Sequence, residues 1–372
     1  MKARRLEWML CGLLLAAQAP GFGMERTEEG YRIPTERPRF SFPRDHGSHP
    51  DFRIEWWYIT GHLRDEGGRR FGFQATFFRY ALTPYAAGGQ AGFGTNHLFM
   101  AHMALSDMRG ERFYHEERLN RDGWDARASV RDMDLSNGNW SLRRTEDERM
   151  ELVASIRAEV GMALTLEPLQ SKVFFGEQGL SRKGADPSAC SWYITFPRLG
   201  VTGTLEVNGE RVKVAGEAWM DHEISSSQLD RDQVGWDWLS VRLHDGCEMM
   251  VYILRDAAGR PDPYSTLAWI DAEGNVHHVG PDQFSWSAAG SWTSPETGAE
   301  YPIDVRIEGT RPNGSPFAFD VKPLMRHQEL VGTLGGISYW EGACDIVEDG
   351  QPVGEAYMEL TGYDESLGNS LN

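Results

Sequence analysis

Three short stretches concentrate residues able to move protons. Asp45-His46-Gly47-Ser48-His49 sets an acid, two imidazoles and a hydroxyl in front of Glu55-Trp56-Trp57-Tyr58. Asp221-His222-Glu223 offers an acid, a base and a second acid in succession. Trp236-Asp237-Trp238 holds a carboxyl between two indoles, with Tyr252 further along. A carboxyl that is to donate a proton near pH 7 must be kept neutral, which burial or a like-charge neighbour provides. Indole faces suit a polyene or a cation. The candidate catalytic set is Asp221, His222, Glu223, Asp237 and Tyr252. Trp56, Trp57, Trp236, Trp238 and His49 are the candidate ligand-binding set. Hydrated charges on an inter-domain linker would account for Asp221 to Glu223 equally simply, and packing between domains would account for the tryptophans.

Metal and cofactor chemistry find little footing. His46-x-x-His49 with Asp45 and Asp51 has the look of a metal loop, but no further ligand set has zinc-like spacing, so no metal is expected. His97 and His102 lie in one apolar run at an odd separation, hence on opposite faces of a strand, and cannot share an ion. His277-His278 and the acidic stretch Asp345 to Asp349 read as solvated turns. There is no Gly-x-Gly-x-x-Gly opening a helix, no P-loop and no Gly-x-Ser-x-Gly elbow, so no nucleotide cofactor is expected.

The elements that must position these residues are short strands. Aromatics make up 11% of the 372 residues, and 41 Gly and 18 Pro punctuate them, a balance that favours strands and turns over helices. Glu55 to Leu63 and Phe71 to Tyr80 read as a hairpin. Thr204 to Val214 reads as another, with Asn208-Gly209 supplying the two positive-φ positions of a type I′ turn. Val153 to Leu166 reads as one strand, and a short helix is expected around Asp282. Trp56, Leu63, Asp65 and Arg79 find echoes in Trp236, Leu243, Asp245 and Arg255, as if one β unit occurred twice. The fold class is all-β, sandwich or barrel.

Lys2, Arg4 and Arg5 precede an apolar run from Trp8 to Ala19 that is too short to span a bilayer, so residues 1–23 read as an export signal. The net charge of −18 argues against nucleic acid. Cys11 lies inside the apolar run. Cys190, Cys247 and Cys344 form no disulfide framework, leaving one pair plus a thiol, or three buried thiols.

The motifs HPDFRIEWWYITGHL (from His49), AWMDHEISS (from Ala218) and WDWLSVRL (from Trp236) resemble the carotenoid 1,2-hydratase/AttH family. The resemblance implies two lipocalin-like antiparallel β-barrel domains in tandem, over residues 35–225 and 226–368. It also implies cofactor-independent addition of water to an alkene. The family's His-x-Trp and Tyr-x-Asp pairs fall on His222 to Ile224 and Tyr252 to Leu254, so the acid expected from the resemblance is replaced by Leu254. Asp221, Glu223 or Asp237 would have to serve instead. The expectation is an exported, periplasmic protein binding an apolar isoprenoid or other lipid, with an envelope transporter as a possible partner. The alternative is a hydratase, isomerase or cyclase acting on such a molecule.

Overall fold

The computed structural model describes residues 25–35, 37–84, 96–123, 125–334 and 337–367. The expected export segment and Cys11 lie outside the described residues. In chain order the strands begin β1 (Ile54–Asp65), β2 (Arg70–Ala81), β3 (His97–Asp107), β4 (Arg112–Arg121), β5 (Ala126–Ala128), β6 (Asp134–Asn137) and β7 (Trp140–Arg144). They continue with β8 (Met150–Ile156), β9 (Val160–Pro168), β10 (Val173–Phe174), β11 (Leu180–Arg182), β12 (Cys190–Val207) and β13 (Glu210–Ser227). A second series holds β14 (Gln233–Leu243), β15 (Glu248–Asp256), β16 (Thr266–Ile270), β17 (Val276–Val279) and β18 (Phe284–Thr293). It ends with β19 (Glu300–Thr310), β20 (Pro316–Pro323), β21 (Glu329–Leu330), β22 (Tyr339–Glu348) and β23 (Gln351–Thr361).

The two series make two antiparallel sheets, each curled into a near-closed barrel. The first runs β4-β3-β2-β1-β13-β12-β9-β8-β7-β6-β5, and the second runs β17-β16-β15-β14-β23-β22-β20-β19-β18. From β4 and from β17 the order is the same for nine strands, so β1 corresponds to β14, β13 to β23 and β12 to β22. The Trp56/Trp236 echo sits on the corresponding strands β1 and β14.

Both barrels are filled by side chains. Trp57, Ile59, Leu63, Phe71 and Phe73 belong to the first interior, and Leu239, Val241, Met249 and Phe319 to the second. The opposite faces of the same strands meet between the barrels, where Ile54, Tyr58, Trp219, Trp238 and Tyr252 form a third cluster. β1 is thus buried on both sides along most of its length, which is why it reads as a near-continuous apolar run with imperfect alternation.

Asn208 (φ 51°) and Gly209 (φ 82°) make the tight turn of the β12–β13 hairpin. Val153 to Leu166 is a hairpin of β8 and β9 rather than one strand, with Arg157 at φ 51° in the turn. The residues near Asp282 form a turn closed by Gln283 N–H donating to the Gly280 carbonyl at 3.0 Å, not a helix. His277 and His278 lie on β17 and Asp345 on β22, so only Asp349 of those stretches sits in a turn. Cys190, Cys247 and Cys344 are all free thiols.

Candidate functional site

Asp221, His222 and Glu223 lie within β13, a central strand paired with β1 on one side and β12 on the other, not on a linker. Strand alternation then divides them. Asp221 and Glu223 face the seam between the barrels, and His222 faces the other way.

The seam holds a cleft whose empty space, including the part open to solvent, is about 790 Å³. Trp56, Trp236 and Trp238 line it with Tyr58, Tyr193 and Tyr252. Four carboxyls line it as well: Asp221, Glu223, Glu341 and Glu359. Asp221 is held by three donors. Tyr193 OH reaches Oδ2 at 2.7 Å, while Thr195 Oγ1 and Trp219 Nε1 reach Oδ1 at 2.5 and 2.8 Å. Burial nonetheless dominates and, with help from Glu223, lifts the Asp221 pKa to about 7 against the pull of these donors. Burial likewise lifts Glu359 to about 8, opposed by the Trp236 indole and reinforced by Glu223 and Asp221.

Glu341 is the most perturbed acid of the set. It is 2% exposed, and burial first, then Glu359, pushes its pKa well above the ordinary carboxylate value. Tyr58 OH donates to its Oε1 at 2.5 Å, whereas Oε2 finds no partner among the described residues. A neutral acid with its proton on the unpartnered oxygen is what this environment favours. Glu223 differs. Lys183 Nζ, itself buried, lies 2.9 Å from Glu223 Oε2 and 4.3 Å from the Tyr252 ring centroid, and Ser191 also donates to this carboxylate.

The remaining expected site residues lie elsewhere. Asp237 faces away from its flanking tryptophans and pairs with Arg255 Nε at 2.9 Å and Tyr363 OH at 3.0 Å. Trp57 is in the first barrel, stacked on His222 with ring centroids 4.6 Å apart, and its indole donates to the His46 carbonyl at 3.0 Å. His49 belongs with His222 to a second buried network centred on Glu55, where the segment before β1 folds over the barrel. His97 and His102 do face opposite ways: His97 meets Arg79 at 3.4 Å and His102 lines the cleft, 2.7 Å from Tyr339 OH.

Around Glu55, His49 Nδ1 and His222 Nε2 approach Oε1 at 2.7 and 2.9 Å. Ser48 Oγ, His49 N–H and Arg79 Nε donate to Oε2 at 2.8 to 3.1 Å. Burial opposes ionisation of Glu55, but these partners hold its pKa well below the usual value. Burial pulls His49 down, yet Glu55 and Asp45 outweigh it and leave its pKa raised, while burial dominates at His222 and lowers it. Asp45, with His49 Nε2 at 3.1 Å, is held at about 2 by its hydrogen bonds despite the cost of burial. His49, Glu55 and His222 lie close enough to be considered as metal ligands. The two imidazoles each contact Glu55 at hydrogen-bond length, and the Arg79 guanidinium on the same carboxylate repels a cation.

The family model described as AttH-like matches residues 33–363. The chain belongs to the AttH-like family. An AttH-type protein from Nitrosomonas europaea shares 37% identity over 89% of this chain and 98% of its own, with a TM-score of 0.79. Kievitone hydratase from Nectria haematococca has the same fold at 14% identity, covering 89% of this chain and 95% of its own, TM-score 0.65. CghA, in its structure with Sch210972, does so at 13% identity over 91% and 98%, TM-score 0.52. No curated protein matches this AttH-like chain by sequence.

Sequence reasoning missed Glu341, Glu359, Lys183, Tyr58 and Tyr193. The usable signal was an acid inside an apolar strand: Tyr339-Trp-Glu-Gly-Ala buries a carboxyl, and Ala356-Tyr-Met-Glu-Leu half-buries one, where a hydrophobe would ordinarily stand.

Proposed function

We propose that this AttH-like protein is a cofactor-independent acid–base enzyme that adds water to, or rearranges, an uncharged alkene-bearing isoprenoid or lipid held between the barrels. The observation that carries this reading is Glu341, a buried acid with one oxygen held by Tyr58 and the other unpartnered in an aromatic cleft. A simple carrier needs no such group. Burying carboxyls of raised pKa costs stability, an expense characteristic of functional sites.

In the proposed reaction Glu341 gives its proton to one alkene carbon, and the π electrons form the new C–H bond. The adjacent cationic carbon lies against the indole faces of the cleft. The oxygen of a water molecule bonds to that carbon, and its surplus proton passes to the Asp221 carboxylate. Asp221, near pKa 7, is half ionised at neutrality and so can act as base while Glu341 stays protonated. Proton transfer between the two restores the starting state, and the net change is addition of one water. Kievitone hydratase, a hydratase on the same fold, supports the reading.

The test is incubation of the purified protein with a lipid extract in oxygen-18 water, followed by mass spectrometry. A species heavier by one labelled water, lost in Glu341→Gln, is expected. A single lipid that copurifies and never changes would instead mark a carrier. Export through the N-terminal segment, and an envelope partner with it, belong to the same proposal. The N-terminal mass of the mature chain checks the former.

A further inference from the structure

Below the acid cleft, the seam carries an unusual run of unsatisfied polar atoms. Most of the buried side-chain atoms that find no partner among the described residues lie here, in three successive rows on facing strands. The cleft row holds Glu341 beside Glu359, which is opposite Trp238. In the next row Thr60 is opposite Gln74, and Ser240 is opposite Tyr357, with Ala343 beyond it. In the outer row His62 is opposite Glu217, and Arg242 lies between Glu248 and Glu355.

The unpartnered atoms run through all three. They are Glu341 Oε2, Gln74 Oε1, Thr60 Oγ1, Ser240 Oγ and Tyr357 OH, then His62 Nδ1, Glu248 Oε2 and all three nitrogens of Arg242. Arg242 has a side chain 1% exposed, and its nearest ion-pair carboxylates, Glu217 and Glu355, stand 3.7 and 3.9 Å away. Native proteins do not leave contiguous buried groups unsatisfied, and where protein partners fail, ordered water supplies them. The mixture of atoms selects the ligand. Arg242 only donates, the Glu248, Glu341 and Gln74 oxygens can accept, and hydroxyls do both. Glu217 and Glu248 each pair with Arg198 at 2.7 Å and Glu355 with Arg64 at 2.6 Å, so the carboxylates are matched without Arg242 and a neutral ligand that both donates and accepts fits the remaining atoms.

We propose that the seam is a water-binding compartment, a file of internal waters running from the partly exposed Glu217 and Glu355 past Arg242, Ser240 and Thr60 to Glu341. Its role rests on the hydration reading above: an apolar substrate closing the cleft excludes water, and the file delivers it from behind. Gln74 makes the join, since it lines the cleft, sits opposite Thr60, and has its Nε2 2.9 Å from Tyr339 OH.

The test is oxygen-17 magnetic relaxation dispersion, which counts long-lived internal waters without any turnover. It is run on the full chain, alone and with the neutral probe N-phenyl-1-naphthylamine in the cleft. The expected result is a dispersion that survives probe binding and falls markedly in a Thr60→Val, Ser240→Ala double variant. Loss of the signal on probe binding, or an unchanged signal in the variant, overturns the proposal. If the double variant does not fold, the isosteric Thr60→Val alone decides by Tm. A fall supports a water-bonded hydroxyl, and an equal or higher Tm shows that the hydroxyl had no bound water. Failure of the file would leave Glu341 as an acid untouched, and failure of the Glu341→Gln test would leave the water count standing.

Discussion

Replacing Asp221 by Asn should flatten part of the protein's stability–pH profile. In the folded chain the Asp221 pKa is raised from 3.8 to about 7, chiefly by burial. Below about pH 3.8 the carboxyl is neutral in both states and folding carries no charge penalty. As pH rises the unfolded chain ionises first, so stability declines, and the loss is complete above about pH 7. At about 1.4 kcal/mol per pH unit the whole swing is about 4 kcal/mol, of which about 2–3 kcal/mol falls between pH 5 and 7. Asn keeps the volume and the acceptor for Thr195 and Trp219 but cannot ionise. Tyr193 must turn its hydroxyl to accept rather than donate, a modest and pH-independent cost. The assay is urea unfolding of both proteins at pH 5, 6, 7 and 8, and the quantity of interest is the difference between them. The wild type should lose about 2–3 kcal/mol more than Asp221→Asn over that range. Removing Asp221 also removes a repulsion felt by Glu359, which widens the gap slightly. Parallel profiles would mean that Asp221 is ionised throughout and would refute the raised pKa assigned to it.

Further substitutions separate the Glu55 network from the cleft and one face of β1 from the other. Arg79→Met leaves Glu55 buried without its guanidinium and should cost about 3–5 kcal/mol by thermal or chemical unfolding; much of that loss should return when Glu55→Gln is added. Trp57→Ala, in the filled first barrel, should cost about 3–5 kcal/mol. Trp56→Ala, on the cleft wall, should change stability far less and instead weaken N-phenyl-1-naphthylamine binding by about tenfold, about 1.4 kcal/mol. Equal effects of the two tryptophans on binding would contradict the seam as the ligand site.

The sequence was most legible where local chemistry decides the structure. Asn208-Gly209 dictates its turn whatever surrounds it, and the aromatic strands between Gly-rich turns leave little choice but β. The two-barrel fold was available from the motifs, and Trp56, Trp236, Trp238, Asp221, Glu223 and Tyr252 do line one cleft. Strand alternation separated His97 from His102 but was not carried through to the candidate acids. Asp221, His222 and Glu223 look like one cluster in one dimension, but a strand sends the middle residue to the opposite side. The same rule removed Asp237 from between its tryptophans and Trp57 from beside Trp56. The site's other acids come from β22 and β23, more than a hundred residues away, and only the sheet order brings them across the seam. The histidine-rich start, chemically the most suggestive stretch, is tied up in the Glu55 network, because a buried carboxylate at the barrel end needs those donors.

The shared strand order explains why the site lies between the barrels and why its acids come in unlike pairs. Taking Trp56 and Trp236 as equivalent, Tyr58 corresponds to Trp238, and their strand partners Asp221 and Glu359 correspond in turn. These two carboxyls, one from each copy, carry the raised values of about 7 and 8. The next partners break the symmetry. Thr195 stands opposite Asp221, where it donates a hydrogen bond, while Glu341 stands opposite Glu359, where it adds a second carboxyl. In the first copy the hydroxyl eases ionisation, and in the second the like charge resists it. A duplicated frame with one such difference yields a base on one wall and a neutral acid on the other. Acid–base chemistry needs that division, and a single barrel with a filled interior has no wall on which to make it.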